Sequence, residues 1–468
     1  YELVTPRSFS QITEKILQTI DSGSYWSWDS ETDQTLEEDS ESPNPWSAKL
    51  TDISISTEPG HAWRFPIAHD NEENIPLQQM LDFLVVAYRT TISTLGGAVV
   101  LHNCKYDYSV LTNPIQKLPV QIVYDEWLPV TEDTMLMAQV ANEPRAGLKP
   151  LAETRLGATA IDYKKLTGGK PFSTVPTEPA NVYAGQDADW TLQLYPQLLE
   201  RLQELEVEHV YRQEMELVEF FMRVERRGLK PDRQALQEHH DDAVERRAYA
   251  YEKLIQTLSE AGVDLTNKDG SPPNPGSSMQ MTRWFFSPQP QGLGLPVLTT
   301  TPTGAPSTGA KAWNKLQAEG FGHPAIAWYR MWSKYEQRIT AFTVPWSALI
   351  HSDGRLHPVI SQVGARTGRT TADSPNVQQA YKELRKMMKP EPGGEMAGID
   401  YSQVELRVLA CEFDEPKMLE TYNLPRFLDD GSENPEADIH NRTLVEVGLP
   451  SRTKAKNFNF GKAFGAGA

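Results

Sequence analysis

The 468-residue sequence predicts an α/β domain over residues 1–207 and an α+β region over 208–468. Three observations carry that reading. Apolar strands alternate with helical patterns in the first part, as in an α/β domain. Near Glu208 the pattern changes to long amphipathic and charged helices. Charge divides at the same place: residues 1–207 hold 30 Asp and Glu against 14 Lys and Arg, and the remainder is close to neutral. This length exceeds one ordinary core, so two or three domains are expected.

Tyr25–Trp28, Leu50–Ser56 and Ala62–Ile67 read as strands, the first two separated by a polar loop from Glu37 to Pro45. Leu77–Thr94 is amphipathic and precedes another apolar strand, Ala98–Leu101, after which helical patterns run to about Val207. Glu214–Arg227 is strongly amphipathic, and Gly228-Leu-Lys-Pro-Asp232 supplies its stop and turn. Arg233–Ala261 predicts a long charged helix. Residues 268–310, rich in Pro, Gly, Ser and Thr, predict loops with short helices. Helix returns over Pro324–Leu349, and residues 355–400 suggest strands and extended loops.

Apolar content of 39% supports folded domains. No apolar run is long enough to span a bilayer, and no signal-peptide pattern opens the chain. With only Cys104 and Cys411, a disulfide framework is not expected, and the cytoplasm is the natural compartment. A net charge of -18 argues at first against nucleic acid. Local potential governs phosphate binding, however, and bases cluster at Arg223–Arg227 and Lys382–Lys386. Solubility explains much of the Glu37–Glu41 run.

Asp29 and Glu31, two apart on a strand, point to one face. Asp107 follows the strand Ala98–Leu101, and Tyr183 and Asp187, four apart on a helix, share a face. Four carboxylates and a phenol can hold two divalent cations about 4 Å apart, activating water and stabilising the leaving oxygen. Oxygen donors suit Mg²⁺ or Mn²⁺. Each pair alone is an ordinary surface feature; Asp189 also lies nearby, without a Tyr partner at that spacing. The order of all three pieces, with Glu58-Pro-Gly60, Pro66-Ile-Ala-His-Asp70, Asp133-Thr-Met-Leu136 and Leu151-Ala-Glu153, resembles the 3′–5′ exonuclease domain of family A DNA polymerases, the bacterial polymerase I type. The resemblance implies an RNase H-like exonuclease fold, a mixed sheet flanked by helices, with Asp29, Glu31, Asp107 and Asp187 as metal ligands. It makes Tyr183 the water-positioning residue and Asn103 part of the substrate site.

The second part continues the resemblance. Asn274-Pro-Gly-Ser-Ser-Met-Gln280 and Thr301–Thr308 look like thumb segments, so Asn274, Ser277 and Gln280 would contact the DNA backbone. As residues alone, these are also ordinary Pro/Gly turns. Thr367-Gly-Arg-Thr-Thr371 and Pro375-Asn-Val-Gln-Gln379 are similar to the segments at the primer end. Arg369 would enter the minor groove, where every correct pair offers an acceptor, with Asn376 and Gln378 beside it. Asp400-Tyr-Ser-Gln-Val-Glu-Leu-Arg407 matches motif A: an apolar run ending in a carboxylate, as at a strand end. Asp400 and the Tyr401 carbonyl would bind metal, Gln403 would support the nascent pair, and Glu405 would exclude the 2′-hydroxyl. Arg452, Lys456, Phe460 and Phe464 recur every four residues, a stripe of two cations and two rings suited to a nucleoside triphosphate. By the resemblance His440, Arg452 and Lys456 face phosphates and Phe460 stacks on the nucleotide. Phe464, where the family usually has Tyr, could equally belong to a core.

The implied organisation is an exonuclease domain over 1–207, a thumb and approach to the palm over 208–350, a partial palm with motif A over 351–424, and the start of the fingers with motif B over 425–468. The implied activity is DNA-directed DNA synthesis with proofreading, using two Mg²⁺ or Mn²⁺ per site, dNTPs, primer–template DNA and single-stranded 3′ ends. The family's second catalytic Asp, in a His-Asp-Glu segment, does not occur. This chain is therefore expected to be one piece of a longer or split polymerase, completed by further sequence or a second polypeptide. The lean layout suggests a phage enzyme acting in a bacterial host cell. The alternative is an exonuclease or DNA-binding replication subunit without polymerase activity of its own.

Overall fold

The computed structural model describes residues 1–23, 25–34, 44–70 and 72–465. The acidic run Glu37–Glu41 lies outside the described residues. The chain divides into two compact units, Tyr1–Lys389 and Pro390–Ala468.

The first unit opens with a six-stranded sheet of β1 (Glu2–Leu3), β2 (Trp26–Gln34), β3 (Ala48–Glu58), β4 (His61–Pro66), β5 (Val99–Leu101) and β6 (Thr131–Asp133), in the order β1-β4-β3-β2-β5-β6. β2, β3 and β4 pair antiparallel, while β1–β4, β2–β5 and β5–β6 are parallel, so the sheet is mixed as predicted. β2 runs beyond the predicted Tyr25–Trp28 and carries Asp29 and Glu31 in its ladder. Period-two alternation divides its side chains. Trp26 and Trp28 face the helix Leu77–Ser93, their indole N–H groups donating to the Thr91 hydroxyl (2.8 Å) and the Tyr88 hydroxyl (2.9 Å). Ser27 faces the helix Thr177–Glu204, its hydroxyl donating to the Ala188 carbonyl at 2.6 Å. Asp29 and Glu31 share that second face.

Both helices bind the sheet through apolar stripes. Leu77–Ser93 buries Met80, Leu81, Leu84, Ala87, Tyr88 and Thr91 at helical spacing, and the Tyr88 ring stacks on Trp127 at 4.1 Å. Burying one such aromatic contributes about 3 kcal/mol of gross transfer free energy. The long helix carries Gly185 where Tyr1 crosses it, since a Cβ there would lie 2.6 Å from Tyr1 Cγ.

The amphipathic helix spans Glu208–Arg227, six residues longer than its apolar pattern suggests, because fully buried Tyr211 carries the stripe of Val218 and Met222 back toward the N-terminus. It stops at Gly228, which has φ +61° and would place a Cβ 2.6 Å from the Leu356 carbonyl oxygen. Gly228→Ala is therefore expected to cost about 1–3 kcal/mol, read as a lower urea midpoint with unchanged slope. The long charged helix spans Arg233–Glu260 and packs on Pro324–Arg338, with Arg247 paired to Glu336 at 2.8 Å. The predicted helix over Pro324–Leu349 runs continuously from Pro324 to Ala348 and contains a wider turn at Ile339–Thr343. Pro345 has no N–H to return to the preceding turn, which is the physical reason. Leu254, Leu258, Trp284, Phe285 and Trp313 form a separate apolar cluster. Two small antiparallel pairs follow: β7 (Lys230–Pro231) with β10 (Met388–Lys389), and β8 (Val359–Ser361) with β9 (Thr371–Asp373).

The second unit contains the helices Val404–Glu412, Pro416–Asn423, Ile439–Val447 and Arg452–Ala463. One expectation fails here. Asp400 does not end a strand: residues 391–403 are irregular, and Ile399 is 98% exposed. An apolar run forms a ladder only against a neighbouring strand, and the described residues of this unit offer none.

Candidate active site

β2 and the helix Thr177–Glu204 bring three predicted ligands together. Carboxylate oxygens of Asp29, Glu31 and Asp187 all lie within 4.8 Å of one another. The register of β2 against β3 pairs Asp29 with Ser54 and Glu31 with Asp52, then shifts between Glu31 and Thr32. Such an irregularity turns the strand beside the cluster. Burial is the main cause holding the Asp29 and Glu31 carboxyls well above the ordinary range. Asp29 is raised further by Asp107 and Asp187, and Glu31 by Asp187. Glu31 is 9% exposed and its buried Oε1 has no hydrogen-bond partner. An all-oxygen set of mutually repelling carboxylates with an orphaned oxygen fits a Mg²⁺ or Mn²⁺ site.

Asp107 is placed differently. It is 3% exposed on the helix Cys104–Thr112 and accepts from the Ser30 N–H (3.2 Å) and hydroxyl (2.5 Å), outside the three-carboxylate group. Burial raises it to about 7 against the pull of those two bonds. Asn103 begins the same helix in the left-handed conformation, with φ 71°. Asp133 holds it there, accepting from the Asn103 and Cys104 N–H groups while capping the helix Thr134–Val140. Asp189 has structural partners instead: the Tyr1 hydroxyl, the Gly60 N–H and Gln193.

Tyr183 lies one turn before Asp187, with burial and the charges of Glu31, Asp187 and Asp29 pushing its phenol upward. Two participants escaped the sequence reading. Lys149, on the short helix Leu148–Leu151, pairs with Asp187 and sits 4.1 Å from the Tyr183 ring centroid. Its only sequence signal was a lysine in the short run Leu148-Lys-Pro-Leu151. Arg64 is the other: fully buried on β4, it lies 2.5 Å from Asp52 and 3.0 Å from both Glu72 and Asn181. His69 joins by contacting Asp52 at 3.3 Å. An arginine inside the aromatic strand Ala62-Trp-Arg-Phe65 was a sign of buried partners. Through Asp52 and Asn181 this network touches the strand beside Glu31 and the helix that carries Asp187.

Among the predicted DNA contacts, Ser277 caps the helix Ser278–Phe286, Gln280 accepts from the Asn274 N–H at 2.9 Å, and the Asn274 side chain accepts from the Gly276 N–H. Arg369 is exposed; Gln378 donates to Thr370, and Asn376 accepts from the Gln379 N–H.

In the second unit, Arg452–Ala463 forms the predicted helix. Lys456 lies 5.9 Å from the Phe460 ring, and Phe460 and Phe464 stack at 6.1 Å, making one stripe. Phe464 is 66% exposed, so its core reading is overturned. Arg452 pairs with Asp438 at 2.7 Å, and Gln403 donates to the same carboxylate. His440 is buried beneath Phe460, bonded to Asn459, and lowered by burial. Glu405 lies in the first turn of Val404–Glu412, while Asp400 and Tyr401 are exposed. Among the described residues, Asp400 joins no group of three potential ligands.

Fold and site together define a carboxylate-cluster exonuclease domain followed by a polymerase region. Residues 9–203 match the 3′–5′ exonuclease family model, and residues 242–468 match that of DNA polymerase family A. The chain belongs to the family A DNA polymerases. It is 28% identical over 444 residues to DNA polymerase I of Pseudomonas aeruginosa, covering 90% of this chain and 45% of that protein. It is 30% identical over 392 residues to DNA polymerase I of Rhizobium leguminosarum, covering 79% and 35%. The chain thus spans less than half the length of these curated relatives. Its fold resembles the POL domain of Pol1 from M. smegmatis, solved in complex with DNA primer–template and dNTP, with a TM-score of 0.69, 18% identity and coverage of 99% and 71%. No helix among the described residues is long and apolar enough to cross a membrane.

Proposed function

We infer that this chain removes nucleotides from DNA 3′ ends and contributes to template-directed DNA synthesis. The convergence of Asp29, Glu31 and Asp187 beside Tyr183 carries the reading. Divalent cations bound there would activate water and stabilise the departing 3′ oxygen. The protein's own groups do the rest. Asp29, Glu31 and Asp187 would hold the ions, and Asp107 would be a further ligand on turning from Ser30. Tyr183 keeps its proton and orients water. Asn103 borders the path of the strand.

In the second unit, Lys456 and Phe460 meet the triphosphate and base of a dNTP, and Arg452 joins when it leaves Asp438. Asp400 and the Tyr401 carbonyl would hold metal once a further palm carboxylate is supplied, Gln403 would support the new pair and Glu405 would cover the sugar edge. Arg369, Asn376 and Gln378 face the primer end, and Asn274, Ser277 and Gln280 hold the duplex backbone. Because Asp400 stands apart from other clustered carboxylates, synthesis requires a further palm carboxylate, on this polypeptide or on a second one. Phage replication in a bacterial cytoplasm is the setting this reading favours.

The test is purified chain with Mg²⁺ on 5′-labelled single-stranded DNA. Stepwise shortening from the 3′ end is expected, and an intact substrate contradicts the reading. Primer extension on adding a palm segment in trans tests the polymerase half.

A further inference from the structure

We propose that Lys149 is a phosphate contact of the exonuclease site, holding the cluster's charge in the free protein and meeting the scissile phosphodiester when substrate binds. The inference rests on the exonuclease reading above. The charges of Lys149 and Arg64 both lower the Glu31 carboxyl against its burial. Arg64 is fully buried and committed to Asp52 and Glu72, so it faces away from any substrate. The Lys149 side chain is 26% exposed and pairs with Asp187 on the side of the Tyr183 ring.

That position is where chemistry requires a mobile cation. A phosphodiester anion must approach three carboxylates, and one that reaches Tyr183 and Asp187 comes within reach of the ammonium beside them. When a divalent ion takes the Asp187 oxygen, the ammonium loses its partner. Its stem stays anchored by the backbone of Leu148–Leu151. A lysine is a compact point charge on a flexible four-carbon stem, suited to a short move between anions. The nearest new anion is a non-bridging phosphate oxygen. Lys149 forms no bond and moves no proton; it balances charge that grows on the phosphate during hydrolysis.

Two measurements on the full chain decide this. Mn²⁺ binding, followed by the paramagnetic resonance of free Mn²⁺, is expected to be as tight or tighter in Lys149→Met, because no ammonium competes for Asp187. Turnover of 3′-end hydrolysis at saturating Mg²⁺ is expected to fall about 100-fold in Lys149→Met and to recover at least partly in Lys149→Arg. Wild-type turnover in Lys149→Met would make the lysine a mere placeholder and overturn the proposal. Lost Mn²⁺ binding in Lys149→Met would also overturn it, since Lys149 would then be positioning carboxylates. Inactivity of the wild type as well would instead mark failure of the exonuclease reading, on which this proposal depends.

Discussion

Asp29→Ala combined with Glu31→Ala lowers 3′-end hydrolysis by about 10³- to 10⁴-fold, the loss expected when several kcal/mol of metal-derived stabilisation disappears. The same variant should be more thermostable than wild type in metal-free buffer at pH 8. Burial raises the Asp29, Glu31 and Asp187 carboxyls, with neighbouring carboxylates adding to the rise at Asp29 and Glu31, and burial takes Asp107 to about 7. A carboxyl raised on folding contributes stability that is present below its unfolded value and lost as pH rises through its folded value. For Asp107 that window runs from 3.8 to about 7. Metal-free wild type should therefore lose melting temperature from pH 5 to pH 8, and Mg²⁺ should restore it. The double variant should show a smaller pH dependence and little response to Mg²⁺. Thermal melts with EDTA or Mg²⁺ at both pH values check this.

Arg64→Leu carries the largest expected stability cost, about 3–5 kcal/mol, because it strands buried carboxylates. Arg64 and Asp52 are each 0% exposed, and the Glu72 side chain is 4% exposed. Adding Asp52→Leu should return part of the loss, since the second change removes one stranded charge. Denaturant unfolding of both single variants and the double variant measures that coupling. Additive losses would show that Arg64 and Asp52 act independently.

Much of the first unit was legible because period and composition suffice where elements are local. Trp26 and Trp28 alternate with Ser27 and Asp29, and Tyr183 and Asp187 share one helical face. Cooperation between distant segments was harder to see. Lys149 meets Asp187, and Arg64 meets Asp52 and Asn181, through contacts that no local spacing encodes. Asp107 was found in the sequence, but its bond to Ser30 depends on the packing of one helix end. Asp400 shows the opposite limit: an apolar run was visible, while the strand partner it needs is a tertiary matter. The stripe Arg452–Phe464 was readable from its four-residue repeat, whereas the Arg452–Asp438 pair was not.

Anomalous scattering from a Mn²⁺-soaked crystal tests the central claim most directly. Strong Mn²⁺ density bonded to oxygens of Asp29, Glu31 and Asp187 is the expected result. Mn²⁺ density elsewhere, with those three carboxylates left without an ion, would contradict it.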